Sequence, residues 1–335
     1  MTIEAAEPVI QLKNLSKAYG TFTAVDRLNL NIYPGEIFGL LGPNGAGKTT
    51  TILMMLGLAE PSSGEAIVCG LDATRNPMQV KRKVGYMPDD VGFYEDRSAL
   101  DNLLYTAGLN RIPADEARDR ALLLLDKVGL GDVARKRAGT FSRGMRQRLG
   151  LADVLIKNPQ VVILDEPTLG IDPEGVRELL ALIRDLSRNE GLTVLLSSHH
   201  LHQVQQICDR VGLFVKGRLI AAGDIDSLSR QLDGAATHRI ELDVLPWNDE
   251  VEQALRAVDG VTDVLAKTQA PDSLRESRSA TTVVATGTSD VTAELAKAAI
   301  GCGASLFGLR PLQYGLDDIY HRYFEGGETH ERKSG

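Results

Sequence analysis

Eight residues near the start of the chain, 42–49, have the types and spacing needed to hold a row of phosphates. They read GPNGAGKT and fit the pattern G-x-x-x-x-G-K-[ST], with a strand-like run before them and a segment that can continue as a helix after them. Glycines let backbone N–H groups turn inward around phosphates at the positive end of a helix. The segment therefore predicts a nucleotide-binding loop, whose residues are Gly42, Pro43, Asn44, Gly45, Ala46, Gly47, Lys48, Thr49 and Thr50.

Two side chains of this loop suit the charge of a nucleotide. Lys48 can reach the β and γ phosphates, and the Thr49 hydroxyl can ligate Mg²⁺. A glycine-rich turn with a chance lysine is the structural alternative, and the matching strand and helix argue against it. The loop indicates nucleotide binding but does not identify the class of nucleotide-binding protein.

Two adjacent acids, Asp165 and Glu166, follow the buried-strand pattern of residues 161–164. Ligands of open α/β sheets bind at the carboxyl ends of the strands. Asp165 is placed to hold Mg²⁺, directly or through water, and Glu166 is the candidate to polarise the attacking water. A strand cap with two solvated acids is the alternative, and the presence of a phosphate loop favours the catalytic interpretation.

Residues 141–145, FSRGM, stand where the ATPases of ABC transporters carry their LSGGQ signature, and RQRLGLA follows them. The chain resembles this family. Ser142 and Gly144 lie at a predicted helix start, where a hydroxyl and free N–H groups suit a γ-phosphate. In the family that phosphate belongs to a nucleotide held by the other subunit, so the resemblance implies a head-to-tail dimer with two shared ATP sites. Arg143 and Met145 depart from the strict motif. The alternative is an N-capped helix and nothing more.

Three further residues match the family in order along the chain. Asp172, which ends the run LGID, resembles the D-loop aspartate, so it would contact the opposite subunit's site. His199, which ends LSSH, resembles the switch histidine, so it would touch the γ-phosphate and act in catalysis. Tyr19 matches the aromatic residue on which adenine stacks in this family. Each of these roles depends on the resemblance.

The crowded histidines His199, His200 and His202 could bind a metal instead. Their place at a predicted strand end favours solvated or capping histidines, and no metal is assigned to them.

Asp89 stands at the Q-loop position, where the family usually has glutamine. Its carboxylate can still order Mg²⁺-bound water, although it adds negative charge beside the phosphates. The resemblance places residues 90–96, including Phe93 and Tyr94, where the family's core meets its permease. These aromatic residues are candidate docking anchors, and core packing is the alternative.

The elements that must position these residues alternate from about residue 9 to residue 228. Short apolar runs alternate with helical segments, the pattern expected of a parallel sheet covered by helices. The predicted strands include 36–41, 161–164 and 193–197. Helical patterns at 115–128 and 143–155 predict an inserted helical subdomain.

After residue 234 the pattern changes to a small βαββαβ unit. Its predicted strands are 237–244, 261–266, 281–287 and 304–309, and its helices are 249–258 and 291–300, with a loop at 268–279 and a closing helix at 316–324. The predicted fold class is therefore α/β: a P-loop NTPase core with an inserted helical subdomain, followed by a small C-terminal α+β domain of ferredoxin-like type. The predicted domains are 1–232, with the helical subdomain at about 90–158, then 236–325 and a polar tail, 326–335.

Composition indicates the environment in which the chain works and the partners that it can bind. A formal charge of −8 and a pI of about 5.4 argue against a broad nucleic-acid surface, so no nucleic acid is expected. No apolar run approaches the roughly 20 residues that span a bilayer, and the first residues lack the features of a secretion signal. Cys69, Cys208 and Cys302 have no metal-like spacing and suit a reducing cytosol.

The motifs together predict an ATP-hydrolysing subunit that uses ATP and Mg²⁺. The resemblance implies a homodimer, or another dimer of ATPases, on the cytoplasmic face of the cell membrane, where it drives export through separate integral membrane permease subunits. A soluble ABC ATPase that acts on ribosomes or DNA is the alternative. Such proteins usually carry two ATPase domains or a long coiled-coil insertion, and neither pattern is visible here. The C-terminal domain could be a small-molecule sensor or a dimerisation module.

Overall fold

The computed structural model describes residues 7–200, 206–224, 227–228, 238–266 and 280–312. The chain forms two compact units, residues 1–225 and 226–335. The predicted boundary between 232 and 236, the loop at 268–279, the closing helix at 316–324 and the tail at 326–335 lie outside the described residues and stay predictions.

The strands of the first unit lie in two sheets. They are β1 (Ile10–Tyr19), β2 (Phe22–Ile32), β3 (Ile37–Leu41), β4 (Ser63–Val68), β5 (Leu71–Asp72), β6 (Val84–Met87), β7 (Val161–Asp165), β8 (Thr193–Ser198), β9 (Arg210–Val215) and β10 (Arg218–Gly223).

The larger sheet has the order β10-β9-β3-β8-β7-β6 among the described residues. All its neighbouring strands are parallel except β10 and β9. Every residue of β3, β7 and β8 is buried, as expected for strands covered on both faces. Because β8 pairs with both β3 and β7, the phosphate loop after β3 and the acids at the end of β7 lie at the same edge of the sheet.

The second sheet was not predicted. Its order is β2-β1-β4-β5, and its strands are antiparallel. The prediction of a single parallel sheet across this region is therefore incomplete. The pairing of β1 with β2 contains register shifts, and the burial of β1 does not alternate regularly, so its sequence lacks the two-residue period of a simple antiparallel strand.

The helices of the first unit cover the sheets or form an insertion between β6 and β7. Within the described residues they are α1 (Lys48–Met55), α2 (Pro77–Lys83), α3 (Ala99–Leu109), α4 (Ala114–Lys127), α5 (Arg143–Leu155) and α6 (Pro173–Glu190), with 3₁₀ turns at Gly131–Val133 and Ala138–Thr140. The inserted helices α3, α4 and α5 lie within the predicted helical subdomain. A capping box fixes the start of α3, since Ser98 and Asp101 each accept a hydrogen bond from the other's backbone N–H.

The second unit contains β11 (His238–Leu245), α7 (Asp249–Arg256), β12 (Val261–Ala266), β13 (Thr281–Gly287), α8 (Thr292–Gly301) and β14 (Ser305–Leu312). Its sheet has the order β12-β13-β11-β14 with antiparallel neighbours. The element order is the predicted βαββαβ, the order of a ferredoxin-like unit. Buried residues of the sheet such as Leu242 and Val283 share a core with Leu255 of α7 and Leu295 of α8. No helix within the described residues combines the length and the apolar character that crossing a membrane requires.

Candidate nucleotide-binding and catalytic site

The phosphate loop runs directly from β3 into α1. Gly45 and Gly47 have φ of +79° and +107°, values that L side chains rarely adopt. Gly47 is also packed closely, because a Cβ atom there would lie 2.3 Å from the carbonyl oxygen of Ala24. Since α1 begins at Lys48, its first backbone N–H groups have no partner within the helix. The loop therefore presents donors at a positive helix end, as the sequence predicts.

Lys48 lies buried between this loop and the acids of β7. Its Nζ donates to the carbonyl oxygens of Gly42 at 2.7 Å and Pro43 at 3.3 Å. It also lies 3.4 Å from Oε1 of Glu166. The ammonium group is thus held by loop carbonyls next to a carboxylate, at the point where the motif requires a cation for phosphate oxygens.

Asp165 forms the centre of a network of hydroxyl groups. Its Oδ2 accepts a hydrogen bond of 3.0 Å from Oγ1 of Thr49, and its Oδ1 accepts one from Oγ of Ser197. The side chains of Thr49 and Asp165 were predicted to share a Mg²⁺ ion, and they are in contact although 116 positions separate them. Hydroxyl and carboxylate oxygens are hard ligands of the kind Mg²⁺ prefers, so this pair fits the ion.

Glu166 leaves the strand with φ of +49°, an uncommon conformation for a residue other than glycine. Its backbone N–H lies 3.2 Å from both the carbonyl oxygen and Oγ of Ser197. Its Oε2 is 2.9 Å from Nδ1 of His199. Its buried Oε1 has no hydrogen-bond partner among the described residues. The predicted catalytic pair, Glu166 and His199, is therefore brought into direct contact.

The histidine cluster is only partly described. The rings of His199 and His200 lie 3.9 Å apart between their centroids. Burial lowers the pKa of His200, and neighbouring His199 lowers it further. His202 lies outside the described residues.

An open cleft of about 420 Å³ joins the predicted nucleotide-binding residues, a size suited to a small-molecule ligand. It is lined by Tyr19, Phe22, Ala24, Pro43, Asn44, Gly45, Ala46, Gly47, Lys48, Thr49, Thr50, Tyr86, Asp89, Asp165 and Glu166. Tyr19 is half exposed at the cleft, and the Nζ atom of Lys17 lies 5.0 Å from its ring centroid. The structure thus brings Tyr19 and Asp89 to the phosphate loop, as their assignments require.

Three side chains at this site were not predicted from the sequence. Phe22 pairs with Tyr19 across the turn between β1 and β2 and is 61% exposed at the cleft. Its position two residues after Gly20, close to Tyr19, is a sequence signal that could have identified it as a residue of the nucleotide site. Burial raises the pKa of Tyr86 to about 12, with help from the charges of Asp165 and Asp89, so this phenol keeps its proton and can donate. Ser197 lies within the LSSH motif, and the sequence predicts no role for its hydroxyl.

The three residues predicted to act on a partner's nucleotide do not line this cleft. Ser142 accepts a hydrogen bond of 3.3 Å from the N–H of Met145 and caps α5. Asp172 accepts one of 3.1 Å from the N–H of Gly175 and caps α6. Each side chain therefore has a local structural role, which for Ser142 is the alternative raised by the sequence.

The starts of these two helices lie together. A Cβ atom on Gly144 would lie 3.4 Å from the side chain of Ile171. One on Gly170 would lie 2.8 Å from Nε of Arg143. Arg143, one of the departures from the signature, therefore packs over the loop that carries Asp172. The predicted signature and D-loop residues form one surface.

Gln147 connects this surface to the Q-loop position. Its side chain is buried on α5, and its Nε2 donates to the carbonyl oxygen of Asp89 at 3.3 Å. The carboxylate of Asp89 is exposed and accepts from the N–H of Asp90 at 2.9 Å. The sequence predicts no role for Gln147, because its contact depends on the packing of α5 against the loop after β6.

Comparison with known proteins defines the class of this chain. A family model described as ABC transporter matches residues 25–169. Relatives that are transport ATP-binding proteins match over about two thirds or more of both chains. The chain belongs to this family and is an ATP-binding, ATP-hydrolysing subunit with a P-loop NTPase core. The resemblance, the fold of the core and the ATPase activity predicted from the sequence are thus confirmed.

Particular relatives extend over different parts of the chain. Bacitracin transport ATP-binding protein BcrA of Bacillus licheniformis is 40% identical over 67% of this chain and 72% of its own length. The uncharacterized ABC transporter ATP-binding protein YdbJ of Bacillus subtilis strain 168 is 32% identical over 94% of this chain and 95% of its own. The solved structure of cbiO1 from Clostridium perfringens, part of the ABC transporter complex cbiONQ, has a TM-score of 0.62 and 28% identity over 68% of this chain and 95% of that chain.

Proposed function

We propose that this subunit hydrolyses ATP in the cleft beside α1 and that a dimer of such subunits powers export through separate membrane permease subunits. One observation carries the proposal. The phosphate loop, Asp165 and Glu166, which are far apart in sequence, line one cleft together with an exposed aromatic residue. This arrangement supplies a site for the phosphates and a site for a metal ion. It also supplies a carboxylate that can polarise the attacking water and an aromatic surface on which the adenine base can stack.

The residues of the cleft bind and orient the nucleotide. The backbone N–H groups of the loop and the Nζ of Lys48 hold the phosphates, and Tyr19 stacks on the adenine ring. Lys48 already lies next to carbonyl groups that fix its position. The half-exposed ring of Tyr19 is available for stacking. Phosphoryl transfer depends mainly on such positioning and on charge stabilisation.

The Mg²⁺ ion of the substrate complex fits the hydroxyl of Thr49 and the carboxylate of Asp165, with Asp89 acting directly or through water. When bound, the ion would neutralise charge on the phosphates. Ser197 donates to Asp165 and holds this carboxylate in place. The exposed carboxylate of Asp89 lines the same cleft and replaces the amide usual in the family.

Glu166 orients and polarises the attacking water. Its backbone lies in the left-handed region, and its N–H donates to Ser197. Together these features fix the position from which its side chain projects. Its Oε1 lies 3.4 Å from Nζ of Lys48 and has no hydrogen-bond partner among the described residues, so it keeps the capacity to accept from a water molecule. His199 contacts the other oxygen, Oε2, and senses the γ-phosphate from that position.

The second subunit of the dimer completes the site. Ser142, Gly144 and Asp172 do not line the cleft of their own subunit, which agrees with a role at the partner's nucleotide. Their position at adjacent helix N-termini provides a surface of donors that suits a phosphate. Closure of two such surfaces over ATP would drive the cycle, and hydrolysis would reopen it.

The permease is the partner that converts this cycle into transport. The subunit would lie on the cytoplasmic face of the membrane and dock through residues 90–96. The name of BcrA, a bacitracin transport protein, supports a role in transport. The names of the relatives described above refer to transporters and give no support to a role on ribosomes or DNA.

Permease-stimulated ATPase activity tests the proposal. We would measure turnover with membrane vesicles that contain the neighbouring permease and with vesicles that lack it. Glu166→Gln should remove turnover in both, while the control Glu116→Gln, at an exposed residue of α4, should behave as the wild type. Stimulation of the wild type by the permease supports the transport role. Basal turnover that the permease leaves unchanged would contradict that role.

A further inference from the structure

A second cavity lies in the first unit where the loop after β6 meets α3 and α5. Its volume is about 370 Å³, and its lining includes Phe93, Tyr94, Tyr105, Thr106 and Asp153. We call it the Asp153 cavity. From the sequence, Phe93 and Tyr94 are either docking anchors or core residues. Tyr94 is 49% exposed and Tyr105 is 44% exposed, so both rings form an accessible rim rather than part of the core.

The walls of this cavity are held in place before any partner arrives. The buried amide of Asn102 accepts from the N–H of Tyr94 at 2.9 Å and donates to its carbonyl oxygen at 3.1 Å. It also donates to the carbonyl oxygen of Ser98 at 2.9 Å. The rings of Tyr94 and Tyr105 meet edge to face, with centroids 5.1 Å apart. A preformed site loses little conformational entropy when it binds.

The cavity contains a carboxylate that lacks a full set of partners. Oδ1 of Asp153 is buried and has no hydrogen-bond partner among the described residues. Thr106 hydrogen-bonds to the same carboxylate. Lys157 lies one helical turn away, but its Nζ donates to the carbonyl oxygen of Lys81 at 2.6 Å. A buried carboxylate in this state is costly, and a cation with a hydrogen-bond donor would relieve the cost.

We propose that the Asp153 cavity receives a lysine or arginine side chain from the permease segment that docks on this subunit. The charged group donates to Oδ1 of Asp153, and the aliphatic stem lies against the rings of Tyr94 and Tyr105. Charge-assisted hydrogen bonds to a carboxylate are strong, and long basic side chains bury their stems against apolar surface. The inference rests on the proposed transport function and adds the chemistry that selects the permease.

Binding of the purified subunit to proteoliposomes that contain the neighbouring permease tests this inference. Asp153→Asn keeps the shape of the side chain and removes its charge. We expect its affinity for the proteoliposomes to fall at least about tenfold, because the partner cation would lose its buried counter-charge. Basal ATPase activity without the permease should stay at the wild-type level. The matched control is Asp119→Asn, at an exposed residue of α4, and should bind as the wild type.

Lys157→Gln separates the proposed contact from an internal ion pair. If Lys157 were the true partner of Asp153, its loss would weaken binding as much as Asp153→Asn, and that result would overturn the inference. Equal binding of Asp153→Asn and the wild type would overturn it too. So would a fall in basal ATPase activity as large as the fall in stimulated activity, since it would indicate a structural role. If neither the wild type nor Asp119→Asn binds the permease, the proposed function fails first.

Discussion

The Asp153→Asn substitution should change how the stability of the first unit depends on pH. Burial raises the pKa of Asp153 from its ordinary value of 3.8 to about 6, although Thr106 and Lys157 oppose the rise. The folded unit therefore binds this proton more tightly than the unfolded chain does. Asparagine has nearly the same shape and no charge, so it removes this dependence.

The sign and size of the effect follow from linkage. Below pH 4 both states keep the proton, and the stabilising contribution is fully present. As the pH rises through about 6, the folded carboxylate also loses its proton and the contribution disappears. A rise in pKa of this size corresponds to roughly 3 kcal/mol, which is an upper value because solvent reaches the open cavity. The wild type should therefore lose stability relative to Asp153→Asn as the pH rises.

Urea unfolding followed by far-ultraviolet circular dichroism measures this difference. The free energy of unfolding of Asp153→Asn minus that of the wild type should grow by roughly 1 to 3 kcal/mol between about pH 4 and pH 7. Trp247 is the single tryptophan of the sequence and packs against the core of the second unit. Unfolding followed by its fluorescence is therefore an internal control, and it should be the same for the wild type and Asp153→Asn. A difference that stays constant with pH would refute the reasoning.

Substitutions at three further positions test the nucleotide site. Ser197→Ala removes the hydroxyl that holds Asp165, so steady-state ATPase turnover should fall about 10- to 100-fold, and unchanged turnover would contradict the positioning role. Gly42→Ala would place a Cβ atom 2.2 Å from the carbonyl oxygen of Phe214, so calorimetric titration should show loss of ATP binding. Wild-type affinity would show that the loop accommodates the methyl group. Tyr19→Ala should weaken ATP binding roughly 5- to 100-fold and Tyr19→Phe should not, and equal affinities of the two variants would contradict stacking.

The catalytic residues could be predicted from the sequence where their signals are local. The phosphate loop is a continuous segment, and the acids Asp165 and Glu166 follow an apolar run. Ser197 shows the limit of this approach. Its hydroxyl reaches Asp165 because β7 pairs with β8 in a register that places the two residues opposite each other. A local pattern does not contain that register.

The same limit explains the missed sheet and the missed contact of Gln147. Strands β1 and β4 pair although many residues separate them, and the register of β1 shifts within its pairings. Gln147 looks like one more polar residue of an amphipathic helix, yet its side chain is buried against the backbone of Asp89. Such contacts arise only when the helical insertion packs on the core. The element order of the second unit could be predicted because its strands and helices have clear periods.

ATP-dependent dimer formation by Glu166→Gln, measured by light scattering beside the ATPase turnover of the wild type, tests most directly whether two subunits share the ATP site. We expect the wild type to hydrolyse ATP, and we expect Glu166→Gln to bind ATP, not to turn it over and to accumulate as a dimer. Normal hydrolysis by Glu166→Gln would contradict the role of this carboxylate. If Glu166→Gln binds ATP and remains a monomer, the site shared between two subunits is wrong.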